Sequence, residues 1–322
     1  GAWMGFMAAA GASPAFWPVL TKLVASLKEQ FPQTVLAIST LLSPARRAEL
    51  EAMGCLVFTD PSAGINTLAS LAKLRQSFDT TASPDTASTP SIATVNLPSS
   101  PLSESQSLAM LKAAGIPVAE HHLVQTADEA VHAWATLGGK IALKIDSADI
   151  PHKSDIGAVS LHLQTEAEVR HAFAQIQARV KQVRPDAKIN GMLAARMVLG
   201  GVECIAGVRR DPVFGYVLVL GLGGVHAELL KDVSLRVLPI SRSDAQTMVQ
   251  ELKGAFLLTG VRGKPAVDIP GLVDALMALA AFATAAGASL DSAEVNPLIC
   301  RPAAAGGCVA ADALVIPSSP SS

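Results

Sequence analysis

The sequence is poor in charge and in cysteine, and its first 120 residues hold no histidine; each shortage closes off a class of function. Only 16% of the 322 residues are charged, 25 basic against 27 acidic, for a net charge of -2. A chain so near neutrality presents no electrostatic footprint for a nucleic-acid backbone. The four cysteines, Cys55, Cys204, Cys300 and Cys308, are spaced neither as zinc-binding pairs nor as a small disulfide framework. That usage fits a reducing, cytosolic compartment. The first 21 residues carry no charge, but Gly5, Gly11, Pro14 and Pro18 interrupt the apolar run, and no early basic residue or cleavage site accompanies it. Buried core is expected there, not a leader or a membrane anchor.

What remains is half apolar and long enough for about two domains with real cores. Between Leu36 and Gln76 the order is strand, helix, strand, helix: an apolar run Thr34 to Ser39, a helix opened by Ser43-Pro44 and stopped at Gly54, a run Cys55 to Phe58, and a helix opened by Asp60-Pro61. The alternation predicts a parallel α/β sheet with few strands, and residues 1–78 are assigned to a partial domain of that class. The opening Gly1 also suggests a fragment or processed product. Residues 79–101 are rich in Thr, Ser, Pro and Ala and are read as a disordered linker; 317–322 are read as a disordered tail.

Residues 102–316 read as an α+β domain with no internal repeat. Ser103 with Gln106, Thr126 with Glu129 and Thr165 with Glu168 have capping-box spacing, and Gly115, Gly138 and Pro185 close the helices they open. Strands are expected at Ile141 to Ile145, Ala158 to Leu163, Asn190 to Val198, Glu203 to Val208 and Tyr216 to Gly221, with later helices near Asp244 to Lys253 and Gly271 to Ala286.

Four places in this domain carry chemistry. Lys144 stands inside an apolar strand, where an ammonium is costly unless it reaches an anion such as a nucleotide phosphate; a snorkelling lysine on an edge strand is the alternative. The loop Asp149-Ile-Pro-His-Lys-Ser-Asp155 sets His152 beside two carboxylates, and an imidazole so placed can accept a phosphoryl group; an idle exposed histidine is the alternative. Met197 and Val198 lead into Gly200-Gly201, Glu203, Asp211 and Gly221-Leu-Gly-Gly224, where glycines allow close backbone approach to a nucleotide or simply make tight turns, and where Glu203, Asp211 and Glu228 offer carboxylates. Glu294 and Asn296 share one strand face and, with a neighbouring carboxylate, make an oxygen cage suited to Mg²⁺.

These motifs, in this order, resemble the ATP-grasp domain of the NDP-forming (ADP-forming) acyl-CoA synthetase family, relatives of succinyl-CoA synthetase. The resemblance rests on Gly115-Ile-Pro-Val, Ala142-Leu-Lys-Ile, Ile150-Pro-His-Lys-Ser-Asp-Ile-Gly, Gly207-Val-Arg-Arg-Asp-Pro-Val-Phe-Gly, Gly221-Leu-Gly-Gly, Leu230-Lys-Asp-Val-Ser, Gly260-Val-Arg-Gly and Ala293-Glu-Val-Asn-Pro-Leu. More weakly, the region before Phe78 resembles the end of the flavodoxin-like CoA-ligase domain that precedes ATP-grasp in fused members.

The resemblance implies the reaction of a carboxylic acid, CoA and ATP to acyl-CoA, ADP and phosphate through acyl phosphate and phosphohistidine. It implies that His152 carries phosphate and that Asp211 steadies it. It also puts Lys144, Met197, Val198 and Glu203 at the nucleotide, and Asn296, Asp312 and Glu294 at Mg²⁺. The family's first phosphohistidine belongs to the CoA-ligase part, which the absence of histidine before His121 places outside this chain, so a CoA-binding partner portion is implied, with a dimer for the complete enzyme. Leu108 stands where many members have lysine, which implies weaker nucleotide binding or a substitute cation. The alternative reading is a non-catalytic nucleotide- or CoA-binding module of a lysine acetyltransferase-type fusion; a carboxylate-amine ligase ranks below both.

Overall fold

The computed structural model describes residues 15–81, 95–224, 232–260, 263 and 265–318, the side chains of 73–81 excepted. The chain divides into two compact units, Gly1–Asp85 and Thr86–Ser322.

In the first unit, α1 (Phe16–Gln30), β1 (Leu36–Ser39), α2 (Pro44–Ala52), β2 (Cys55–Phe58) and α3 (Pro61–Thr81) follow the predicted alternation. β1 and β2 pair in parallel, Leu36 opposite Cys55 through Ser39 opposite Phe58. Both strands bury alternate residues, and Leu36, Ile38, Cys55 and Val57 pack with Leu20, Val24 and Leu50. Pro44 opens α2 as the sequence required, since its missing N–H costs nothing in a first turn. The uncharged N-terminal run, expected to be core, enters α1 with only one face covered: Leu20 and Val24 are buried while Val19 and Leu23 are exposed. Gly5, Gly11 and Pro14 lie outside the described residues.

The stretch read as a disordered linker departs from that reading at both ends. α3 runs through Thr81, and Val95 and Leu97 pack against the core of the second unit, where Val95 N donates to Ala285 O at 3.3 Å. These two apolar residues are enough to dock the end of an otherwise polar segment. Residues 82–94 lie outside the described residues. At the C-terminus, Pro317 closes the last strand and Ser318 N donates to Ser289 O at 2.8 Å, so the ordered domain runs past the expected end.

The second unit has two lobes with separate cores. In the first lobe, β3 (His121–Val124), β4 (Ile141–Asp146), β5 (Val159–Leu163) and β6 (Gly191–Arg196) form an antiparallel sheet in the order β3-β6-β4-β5. α5 (Ala127–Thr136) and α6 (Glu166–Val183) cover it. Ile141, Leu143 and Ile145 of β4 join Val169, Phe173, Ile176 and Val180 of α6 in this core. Because side chains alternate along a strand, Ala142, Lys144 and Asp146 face the other way.

In the second lobe, β7 (Val202–Asp211), β8 (Gly215–Leu222), β9 (Val233–Val237), β10 (Leu290–Cys300) and β11 (Cys308–Ala310) run in the order β11-β10-β7-β8-β9, and β12 (Ala313–Pro317) pairs with β10. The core holds Leu108 and Leu111 of α4 (Glu104–Ala113), residues of α7 (Arg242–Glu251), Leu258 of α8 (Ala255–Thr259) and most of α9 (Ile269–Ala286). α9 is long and apolar enough to span a membrane by composition, yet twelve of its eighteen residues are buried inside the lobe, which is the place of a core helix. All four cysteines are free and buried. Cys204, Cys300 and Cys308 gather in this core, where contact with the Cys204 and Cys308 thiols pushes the Cys300 thiol far up and burial adds to the shift. A thiol so placed is neutral and inert.

Candidate active site

The two lobes meet at the N-terminus of α4. Ser103 precedes it with extended backbone and forms the predicted capping box with Gln106, whose Oε1 accepts from Ser103 N at 2.9 Å. The helix belongs to the second lobe by its packing, with Val315 N of β12 donating to Ser107 Oγ at 3.1 Å. Its first turn reaches the polar face of β4 in the first lobe. Ser105 donates from N to Asp146 Oδ1 at 2.9 Å and from Oγ to Asp146 Oδ2 at 2.8 Å, and Asn190 Nδ2 gives Asp146 a third bond at 3.1 Å.

Two residues back along β4, on the same face, Lys144 Nζ donates to Glu104 Oε1 at 2.6 Å, Asp312 Oδ2 at 2.9 Å and Ala311 O at 3.0 Å. These use all three ammonium protons. β4 is an inner strand and the lysine is buried, so the snorkelling alternative fails. The anion that an interior lysine demands is present, and it is supplied by the protein. Burial alone would lower the Lys144 ammonium, but the Glu104 and Asp312 carboxylates outweigh it and hold it above the usual lysine range. Burial pushes the Glu104 carboxyl up, against the pull of Lys144 and Lys153.

Lys153 completes a neutral quartet. Its ammonium stands 3.0 Å from Glu104 Oε2, close enough for an ion pair but off the direction of a hydrogen bond, and Oε2 has no hydrogen-bond partner. The side chains of Glu104, Lys144 and Lys153 are 0%, 9% and 9% exposed; that of Asp312 is 33% exposed, so one member of the quartet looks outward.

Asp312 leads to the other acid and amide of the expected cage. Asn296 N donates to Asp312 O at 3.2 Å and Ala311 N to Pro297 O at 3.0 Å, where the register between β10 and β7 shifts after Val295. Glu294 and Asn296 lie on one exposed face of β10, as predicted, with Asn296 Nδ2 donating to Glu294 Oε1 at 3.0 Å. Among the described residues no three His, Cys, Asp or Glu side chains converge to hold a metal. Glu294, Asn296 and Asp312 carry the side-chain oxygens that a hard cation such as Mg²⁺ prefers, and the backbone bond from Asn296 to Asp312 sets their strands side by side.

Met197 and Val198 are half-buried in the segment joining β6 to β7, the crossing from one lobe to the other, and Met197 N donates to Lys140 O at 3.1 Å. Glu203 is exposed at the start of β7, with Gly223 N donating to its carbonyl at 2.7 Å. A Cβ on Gly224, where φ is +65°, would stand 3.3 Å from Glu203 Oε2, so this glycine pair makes room for a carboxylate. Gly201 is different: at φ +92° its absent Cβ would stand 2.6 Å from Cys300 O, and the tight-turn reading suffices there. Glu228 lies outside the described residues, as do parts of the 230–234 and 260–263 motifs.

His152 is exposed, between the buried Ile150 and Lys153. Asp211 ends β7 at the hairpin to β8, where its Oδ1 accepts from Val213 N at 2.8 Å and Phe214 N at 2.9 Å. The Phe214 and Val213 amides hold its carboxyl below the usual aspartate range. Its hydrogen bonds are to this hairpin and not to His152, and it stands roughly 26 Å along the strand from Glu203. The structure thus gathers Lys144, Asp312, Asn296 and Glu294 and leaves Asp211 at the far end of β7.

Leu108, at the position of the expected lysine, is 2% exposed in the second core. The residue that sequence reasoning missed is Glu104. As a first-turn acid it looks like an ordinary complement to the helix dipole, and its signal was indirect: Lys144 and Lys153 both needed a counter-charge.

Two β-rich lobes joined through a buried charge cluster, with a crossing segment and an exposed carboxylate and amide beside it, define a two-lobed α+β domain with its polar side chains gathered at the junction. Residues 96–316 match the ATP-grasp domain, and the chain belongs to that family. It is 38% identical over 189 residues to the β subunit of acetate–CoA ligase [ADP-forming] II of Pyrococcus furiosus, covering 59% of this chain and 80% of that subunit. It is 39% identical over 197 residues to acetate–CoA ligase [ADP-forming] I of Archaeoglobus fulgidus, covering 61% of this chain but 28% of that longer protein. Among solved structures, acetyl-coenzyme A synthetase 1 of Ca. Korarchaeum cryptofilum with coenzyme A, Ca-AMPCP and HgCl⁺ superposes with a TM-score of 0.64 at 38% identity, over 68% of this chain and 94% of that one. The same enzyme with coenzyme A and Mg-AMPPCP, its phosphohistidine segment pointing towards the nucleotide site, gives 0.58 at 36%, over 68% and 93%.

Proposed function

We propose that this chain is the ATP-binding part of an ADP-forming acid–CoA ligase, with His152 as its phosphoryl carrier. The observation that carries the reading is the placement of an exposed imidazole next to a lysine buried in the same charge cluster as Lys144 and Asp312. The phosphoryl carrier and the groups that would neutralise phosphate are thus built on one framework.

In this reading the nucleotide lies against the crossing segment, with backbone groups of Met197 and Val198 and the carboxylate of Glu203 at its base and ribose end. Lys144 turns from its carboxylates to the phosphates, which present the same charge. Asp312, Asn296 and Glu294 hold Mg²⁺, which when bound supplies charge neutralisation on the phosphate oxygens. A lone pair of the His152 imidazole forms the N–P bond to the γ-phosphorus as the bond from that phosphorus to the β–γ bridging oxygen breaks, and ADP leaves. Positioning and charge neutralisation carry the step. Asp211, at the far end of β7 from Glu203, meets the phosphorylated imidazole only after the His152 segment has left the nucleotide.

Acid, CoA and the first phosphohistidine belong to a CoA-binding portion in another chain or segment, and a dimer is proposed for the complete enzyme. Four reduced thiols suit the cytosol. The test is isotope exchange: labelled ADP should appear in ATP when the chain is given both with Mg²⁺, and the exchange should vanish in His152→Ala. Exchange that persists in that variant would remove His152 from the reaction.

A further inference from the structure

The His152 segment must leave the nucleotide to deliver its phosphate, and the structure shows what holds it. At its start, Ser147 Oγ donates to Lys188 O at 2.7 Å, Arg184 Nη2 to Asp149 O at 2.9 Å and Lys188 N to Asp149 Oδ2 at 2.8 Å. At its end, Ala158 N donates to Lys153 O at 2.9 Å, Ile145 N to Ala158 O at 3.0 Å and Arg179 Nε to Ile156 O at 3.2 Å. Between Asp149 and Ala158 only Ile150 and Lys153 are buried. Ile150 sits in the first-lobe core, while Lys153 is turned to Glu104.

The two ends of that carboxylate are unequal. Oε1 takes a 2.6 Å hydrogen bond from Lys144, whereas Oε2 holds Lys153 by charge alone at 3.0 Å without a directed bond. A carboxylate can satisfy two cations, but the two ammonium groups repel each other, so each lowers the net hold of the site on the other.

We propose that Glu104 is the positioning residue for the His152 segment: it catches the segment through Lys153 and couples that catch to the nucleotide through Lys144. The inference rests on the phosphoryl-carrier reading above. When phosphate oxygens draw Lys144 away, Glu104 is left with Lys153 as its counter-ion, and the catch tightens while His152 faces the nucleotide. When the nucleotide departs, Lys144 returns to Oε1 and the hold on Lys153 slackens, freeing the segment to move.

Hydrogen exchange of a peptide spanning 149–159, which contains the Gly157 and Ala158 amides, reads the catch directly. In the nucleotide-free chain, Glu104→Gln and Lys153→Met should each speed exchange there about tenfold, while peptides over β6 stay as in the wild type. Unchanged exchange in Lys153→Met overturns the catch, and that variant decides the matter if Glu104→Gln does not fold. Adding Mg-AMPPCP should slow exchange of the segment in the wild type and leave Lys153→Met unaffected; equal slowing in both overturns the coupling. Calorimetry on the same samples separates the two claims. Absence of Mg-AMPPCP binding sinks the coupling together with the reading it rests on, while the nucleotide-free comparison still decides the catch.

Discussion

Two polar clusters are buried in the second unit, and they behave in opposite ways. The thiols of Cys204, Cys300 and Cys308 lie deep in one core, and their contacts drive the Cys300 thiol towards its neutral form. Glu104, Lys144, Lys153 and Asp312 lie at the junction of the lobes and remain a set of opposed charges, with Asp312 reaching the surface. Burial costs a thiol little and a charge a great deal. A fold that keeps four charges where four apolar side chains would pack has a use for them, and the use proposed here is to receive phosphate and to hold the segment that carries it.

The largest effect that would sharpen this contrast is removal of the shared counter-ion. Glu104→Ala leaves two buried lysines short of a partner and should destabilise the second unit by about 3–5 kcal/mol, measured by urea denaturation, whereas Cys300→Ala in the thiol cluster should cost less. Next is Leu108→Lys, which restores the residue that many family members carry. Because Leu108 is core here, the substitution should lower stability by about 3 kcal/mol or more without tightening ATP binding; a gain in affinity by calorimetry would show that the helix presents another face to the nucleotide. A smaller effect is expected with pH. The Lys144 ammonium is held above its usual value, so its contribution is complete below about pH 10.4 and is lost as the pH rises through the higher folded value. Lys144→Met should therefore flatten the alkaline limb of the stability profile. The smallest is local to the hairpin. Asp211 is held below its usual value, so its bonds to Val213 and Phe214 are complete above about pH 3.9 and fade as the pH falls through the lower folded value. Protection of those two amides should follow that course and disappear in Asp211→Ala.

Much of this architecture was legible in the sequence because local signals agreed with it. Cys55 to Phe58 is the strand observed, and Thr165 and Glu168 make both bonds of their capping box, Glu168 N donating to Thr165 Oγ1 and Thr165 N to Glu168 Oε2, each at 3.2 Å. Alternation placed Glu294 and Asn296 on one open face. What escaped was long-range. The pairing of Lys144 with Glu104 joins residues forty positions apart, and with Asp312 residues 168 apart, and no local pattern encodes either. Short edge strands such as β3 and β11 were missed for a related reason: four or three residues carry little periodicity, and their pairing partners define them. Val95 and Leu97 were lost in a polar stretch whose composition hid two anchoring side chains.

The central claim is that one exposed histidine takes phosphate beside a nucleotide held between the lobes. Its most direct test is incubation of the chain with γ-labelled Mg-ATP, followed by assay of acid-labile, base-stable label on the protein in the wild type and in His152→Ala. The account predicts label in the wild type, discharge of that label by added ADP, and none in the variant. Saturable ATP binding with no label, or label that survives loss of His152, would contradict it.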